Sequence, residues 1–159
     1  MARARTSDFY HSHEFHVVEE GGFLNPAAGF NNVTVPEITL EMAEYREGVR
    51  TWTIKQPGYP TVDNVTMSRG VAKRDTDFYN WVITVIEGRT GYRTDLELWH
   101  FHGTDDFGLE GNPSRTYKLH EAFPTRVRVA ADFDATSAEI SLEELEVAVE
   151  QITITRREG

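Results

Sequence analysis

Two pairs of histidines have the types and spacing for chemistry: His11 with His13, and His100 with His102. Alternate residues on a strand share a face and stand about 7 Å apart, a spacing at which two imidazoles can share a metal ion. His16 and His120 are further imidazoles of the same kind. No Asp or Glu falls at a spacing that completes a recognised site around either pair. Ordinary surface or interface histidines are therefore expected, and no metal ligands. Paired carboxylates are easy to draw from 26 acidic residues, but Glu143, Glu144, Glu146 and Glu150 read as one solvated face. Nothing in the pattern marks one of them as a buried acid with a raised pKa. Ser137 and Ser141 lack a G-x-S-x-G setting, and no Walker or dinucleotide glycine pattern occurs. Asn32-Val-Thr34 and Asn64-Val-Thr66 match the glycosylation triplet, without a secretion signal to support its use. The expectation is no catalytic residue, no cofactor and no enzyme.

Composition narrows the class further. A chain of 159 residues suffices for one domain with a real core. It has no cysteine, which removes disulfides and thiolate chemistry and fits a reducing compartment. The N-terminal residues carry two arginines but no apolar run, so no signal peptide is expected. The formal charge of −10 argues against tight binding along a nucleic-acid backbone, while allowing a surface past which a polyanion slides.

The elements that would position these groups are mostly strands. Period-two alternation predicts strands over 9–18, 33–42, 51–55, 62–67, 95–102, 117–123 and 125–133. A last, long strand over 136–155 is expected to bend at Glu143–Glu144 and again at Gln151, where its phase shifts. One helix is predicted over 75–87: Phe78, Trp81, Val82, Val85 and Ile86 make one apolar stripe, with Asp75 as cap and Gly88 as stop. Arg126 and Arg128 alternate on one face, as a solvated face or as ion-pair partners of the acidic strand. Glu44 to Gly58 reads as a polar protruding arm holding Trp52, with Tyr45 and Tyr59 at its margins. Such aromatics suit an interface with a neighbouring subunit. The fold class expected is mainly β, an antiparallel barrel or sandwich of about seven strands with one flanking helix.

Several segments together resemble the tube proteins of contractile phage tails and related contractile injection systems. They are Phe15-His-Val17, EYREG at Glu44–Gly48, and PGYPTVDNVTMSRG at Pro57–Gly70. The Trp-bearing helix at Asp77–Val82 and FPTRVRVAADFDATSAEISLEELEVAVE at Phe123–Glu150 complete them. The NVT-x-x-RG turn and the last block carry most of the specificity. One departure is a hydrophobic-Asn-aromatic-Pro turn of that family, which reads Glu121-Ala122-Phe123-Pro124 here, without the Asn.

The resemblance implies a structural subunit that forms stacked hexameric rings whose sheets join into one inner barrel. It implies sheath, baseplate and cap proteins as partners, with DNA or protein cargo passing without specific binding and only indirect contact with a membrane. It implies cytoplasmic assembly into the inner tube of a phage tail or tail-like particle. Glu44, Tyr45, Arg46, Glu47, Trp52 and Tyr59 would then meet neighbouring subunits, and Glu146 and Glu150 would face the lumen. The alternatives are a tube of the related virulence-secretion type, a small β-barrel binding module, and a small hydrolase or metal enzyme using the histidines.

Overall fold

The structure, a computed structural model, describes residues 9–24, 29–73, 75–103, 105 and 111–157. The loop expected between Gly103 and Arg115 falls partly outside these residues, at 104 and 106–110, and Pro26 and the first eight residues fall outside them too. The strands are β1 (Phe15–Glu19), β2 (Asn32–Val33), β3 (Ile38–Tyr45), β4 (Ile54–Val62) and β5 (Val65–Gly70), followed by the helix α1 (Asp77–Ile86). After it come β6 (Thr94–His100), β7 (Arg115–Arg128), β8 (Leu142–Ala148) and β9 (Gln151–Arg156).

All pairings are antiparallel. One layer runs β1-β6-β7-β9 and the other β2-β5-β8-β7, so β7 belongs to both. Residues 115–120 of β7 pair with β6 and β9, and residues 123–128 pair with β8. The corner lies at Glu121, whose φ of 54° is left-handed backbone. There the Asp95 carboxylate accepts the Glu121 N–H at 3.1 Å, filling the bulge between β6 and β7. Opposite, Val149 and Glu150 interrupt β8 and β9, and Glu150 donates its N–H to the His120 carbonyl. The result is a sandwich whose two sheets are joined by strands that turn the corner, rather than a closed barrel.

The core between the layers contains Val17, Val65, Met67, Leu96, Leu119, Leu145 and Val147, all buried. Helix α1 covers it with Phe78 and Trp81. Trp81 stacks on Phe23 at 5.4 Å and donates its indole N–H to the Tyr92 carbonyl at 2.9 Å. The N-cap is Thr76, which makes no side-chain cap bond; Asp75, one residue before it, accepts the Asp77 N–H at 3.1 Å, and Gly88, with a φ of 66°, follows the helix end. Val82 and Val85 are half-buried and Ile86 is exposed, so the predicted stripe is covered at its N-terminal end and open at the other.

Three strand expectations need correction. The Glu143–Glu144 doublet is no bulge, because β8 runs opposite β5 without a shift from Leu142 to Val147. Glu143 stays in phase with Leu145 and Val147 and is buried, because Arg69 neutralises it; Ile140 lies outside the strand and Leu142 faces out. The extra residue belongs to β7, at Thr125, whose hydroxyl donates to the Glu146 carbonyl. The strands expected at 117–123 and 125–133 are one, β7, which ends at Arg128 and leaves Val129 and Phe133 exposed. Between Glu44 and Gly58 there is no separate short strand; that segment is the outer part of a hairpin made by β3 and β4.

Candidate assembly surface

The β3–β4 hairpin has no neighbour in the sheets: β3 and β4 form a two-stranded ladder of their own. All eight residues of β3 are exposed. Its root is fixed by two hydrogen bonds, Thr34 N–H to the Thr66 carbonyl and Asp63 N–H to the Glu37 carbonyl. Midway, Glu41 faces two residues of β4, and a Cβ on Gly58 would stand 2.9 Å from the Glu41 carbonyl oxygen, so glycine is needed for this close approach. At the tip, Arg50 N–H closes a turn on the Glu47 carbonyl at 2.9 Å.

The six residues expected at a subunit interface all sit here. Glu44 stands opposite Lys55 and Tyr45 opposite Ile54, near the end of the ladder. Arg46 and Glu47 lie in the turn, Trp52 just beyond it, and Tyr59 on β4 beside the bulge. Tyr45, Trp52 and Tyr59 are all exposed. A second set lies on the same hairpin. Ile38, Leu40 and Met42 share one face, opposite Val62, Pro60 and Pro57, and are 57%, 59% and 55% exposed. Their period of two is visible in the sequence, but not that the face stands open.

Glu146 and Glu150, the lumen candidates, occupy different settings. Glu146 lies on the outer face of β8, where it accepts from Asn64 at 2.9 Å and from Arg126 Nε at 3.0 Å. The Asn64 amide first, and Arg126 second, hold its carboxyl below the usual carboxylate range. Glu150 lies in the interruption between β8 and β9 and pairs with Arg93. Arg126 also reaches Glu144 at 3.6 Å, and Arg128 meets Asp132, so the alternating arginines are ion-pair partners, in part of the acidic strand. On the outer face of the other layer, Glu20 at 3.4 Å and Asp95 at 3.6 Å surround Lys118 and hold its ammonium more firmly protonated than usual.

The histidines do not converge on a metal site. His11 and His13 precede β1 rather than alternating along it, and His100 Nε2 lies 3.0 Å from the His11 carbonyl. His102 packs edge-on against Tyr10, and burial pushes the His16 imidazole down. No cluster of three or more metal-binding side chains exists among the described residues.

A further group was missed because it reads as scattered charges. Arg69 is buried; its Nε donates to Glu143 at 2.5 Å, its Nη2 to Asp75 at 3.1 Å, and its guanidinium lies 4.0 Å over the Phe78 ring. It ties β5, β8 and the helix start together. Keeping Glu143 in phase with Leu145 and Val147 would have signalled a buried acid in need of a cation.

Open edges complete the surface. Among the described residues, β9 pairs only with β7, and residues 123–128 of β7 pair only with β8. Each leaves a row of backbone donors and acceptors facing outward.

No curated protein matches the chain. Among solved structures, it superposes on a chain of the anti-feeding prophage tube-terminating cap with TM-score 0.78 and 24% identity, covering 99% of this chain and 95% of that one. A chain of the extended sheath-tube complex of the extracellular contractile injection system PVC gives TM-score 0.78 and 23% identity, with 98% and 100% covered. Hcp1 from Flavobacterium johnsoniae is more distant in shape, with TM-score 0.52, 12% identity, and 91% and 97% covered. The profile of the T4-like virus tail tube protein gp19 family matches residues 12–153, nearly the whole of the two-layer body and its hairpin, and the chain belongs to that family.

Proposed function

We propose that this tube-forming structural subunit assembles as six-membered rings that stack into the inner tube of a contractile injection particle or phage tail. The observation that carries the reading is the pair of open edges, on β9 and on residues 123–128 of β7. Long unpaired edges invite aggregation unless something closes them, and copies joined edge to edge around an axis cover both of these. Such contacts are heterologous, one surface meeting a different one on the next copy, and they close when the rotation closes. Family membership across residues 12–153 supports the same reading.

In this assembly Glu44, Tyr45, Arg46, Glu47, Trp52 and Tyr59 meet neighbouring copies. Glu146 and Glu150 line the lumen, each with its arginine, so the wall near them is charge-balanced, and the net charge of −10 keeps it from holding a polyanion. The subunit works without a cofactor. Sheath, baseplate and cap proteins are its partners, and DNA or protein is the cargo. Assembly takes place in the cytoplasm before the particle acts outside. The likeness to PVC and anti-feeding-prophage chains, closer than that to Hcp1, favours the contractile-particle branch over the secretion-type tube.

Negative-stain microscopy with light scattering on the purified protein tests this. Six-fold rings or tubes are expected. A species that stays at the 18.1 kDa chain mass at high concentration overturns the reading.

A further inference from the structure

The two layers do not close at one end. There the core continues into a groove of about 380 Å³ lined by Phe15, Val33, Val35, Leu98, His100 and Tyr117. Leu98 and Tyr117 stand opposite each other on β6 and β7, in phase with the buried Leu96 and Leu119. The groove is thus the uncovered end of the core, and Ile154, opposite Tyr117 on β9, is exposed beside it. Its rim is basic. His100, Arg115 and Arg156 stand in a row across β6, β7 and β9, and neither arginine has an ion pair among the described residues.

We infer that this groove receives the β3–β4 hairpin of a second copy of the chain, with the face formed by Ile38, Leu40 and Met42 turned inward. The inference rests on the ring reading and adds which surfaces meet. Four observations point to this occupant. A two-stranded hairpin with neither face covered is marginal in water, so its exposed apolar face needs a cover. Glu44 continues the face of Ile38, Leu40 and Met42 and has no ion pair among the described residues, a charge complementary to Arg115 and Arg156. A chain's own hairpin does not fill its groove, because all eight residues of β3 are exposed while its root is hydrogen-bonded to Thr66 and across Glu37–Asp63. Finally, Pro57 and Pro60 lack N–H groups and blunt the outer edge of β4, which favours packing through the face over adding a strand there. Because every copy carries both a finger and a groove, the contact passes from copy to copy.

The absence of native cysteine makes the test clean. Leu40→Cys and Asn32→Cys proteins, the second marking the groove rim, are mixed under tube-forming conditions and oxidised. A disulfide-linked dimer is expected in the mixture and not in either protein alone. A Thr51→Cys protein, marking the hairpin tip, should link to Asn32→Cys far less. Tubes that form while linkage runs through Thr51→Cys, or through neither site, overturn this contact and leave the ring reading standing. Protein that remains monomeric overturns both. Independently, Glu44→Lys should raise the concentration needed for assembly about tenfold, as a like-charge contact of ~1.4 kcal/mol would, and Arg156→Glu should restore it. Failure of that rescue, with Arg156→Glu alone assembling normally, removes the charge pairing and counts against the groove.

Discussion

Trp81 is fully buried against Phe23 and donates its indole N–H to Tyr92, while Trp52, near the hairpin tip, is 82% exposed with no hydrogen bond or ring contact among the described residues. The same contrast runs through the two regions that hold them. In the body, the apolar stripes of α1, β5, β6 and β8 meet one another, and the buried Arg69 is paired with the buried Glu143 and the half-buried Asp75. In the hairpin, apolar and charged side chains alike face water. A region whose groups meet one another contributes to folding; one whose groups face water contributes little to it. The two should answer mutation differently.

The largest separation is expected between the tryptophans. Trp81→Ala should destabilise the chain by about 3–5 kcal/mol, the range for deleting a buried aromatic. Trp52→Ala should stay within about 0.5 kcal/mol, as an exposed side chain does. Urea denaturation of unassembled protein, with the slope checked for two-state behaviour, measures both. A Trp52→Ala loss comparable to that of Trp81→Ala would show the hairpin folded back on its own body and would dissolve the contrast.

Charges sharpen the comparison next. Glu143→Ala leaves the buried Arg69 without its closest partner and should destabilise by about 3–5 kcal/mol. Replacing both, as Arg69→Met with Glu143→Leu, should recover most of that loss, because a buried pair often does no better than well-packed apolar groups. Glu44→Ala on the hairpin should leave unfolding unchanged within about 0.5 kcal/mol. If the double replacement is as damaging as the single one, the link from Arg69 to Asp75 and the helix start carries the stability instead.

These differences explain what the residues alone disclosed. The helix was legible because Phe78, Trp81, Val82 and Val85 recur at its period and Asp75 and Gly88 mark its ends, all local signals. The strands of the body were legible as alternation, and two layers with a flanking helix followed from their number. Glu143 misled because an acid in an apolar phase looks like a shift of register, and only Arg69, 74 residues away, makes its burial tolerable. The hairpin's apolar face misled for the opposite reason. Ile38, Leu40 and Met42 alternate as a covered strand does, and nothing local says that the hairpin stands clear of the body and leaves them exposed. The exposure of Tyr45 and Trp52 in the same segment was legible, since both stand in a polar stretch with no apolar run around them.

A smaller effect tests the corner that joins the layers. Glu121 holds left-handed backbone, which disfavours an ordinary side chain by roughly 1–2 kcal/mol. Glu121→Gly should therefore raise stability, by about 1 kcal/mol after glycine's extra unfolded-state freedom is subtracted. Asp95→Ala should lower it, because the Glu121 N–H loses its acceptor. A destabilising Glu121→Gly would mean that the side chain, not the backbone, holds the corner.

The smallest effect concerns Glu146, the lumen candidate on the body's outer face. Its carboxyl is held below the ordinary range, first by Asn64 and then by Arg126. With the folded pKa below the unfolded value of about 4.3, its contribution to stability is fully present above that value. It is lost as pH falls through the folded pKa. Carbon-detected NMR titration of the Glu146 carboxyl in Asn64→Ala protein should show the pKa rising toward the ordinary range, with a lesser rise in Arg126→Ala. Because the group is solvent-screened, the accompanying change in unfolding should be slight. A larger rise with Arg126→Ala than with Asn64→Ala would make the arginine the principal control. The acid would then be as much a balanced member of the body as Glu143, and less available to repel a passing polyanion.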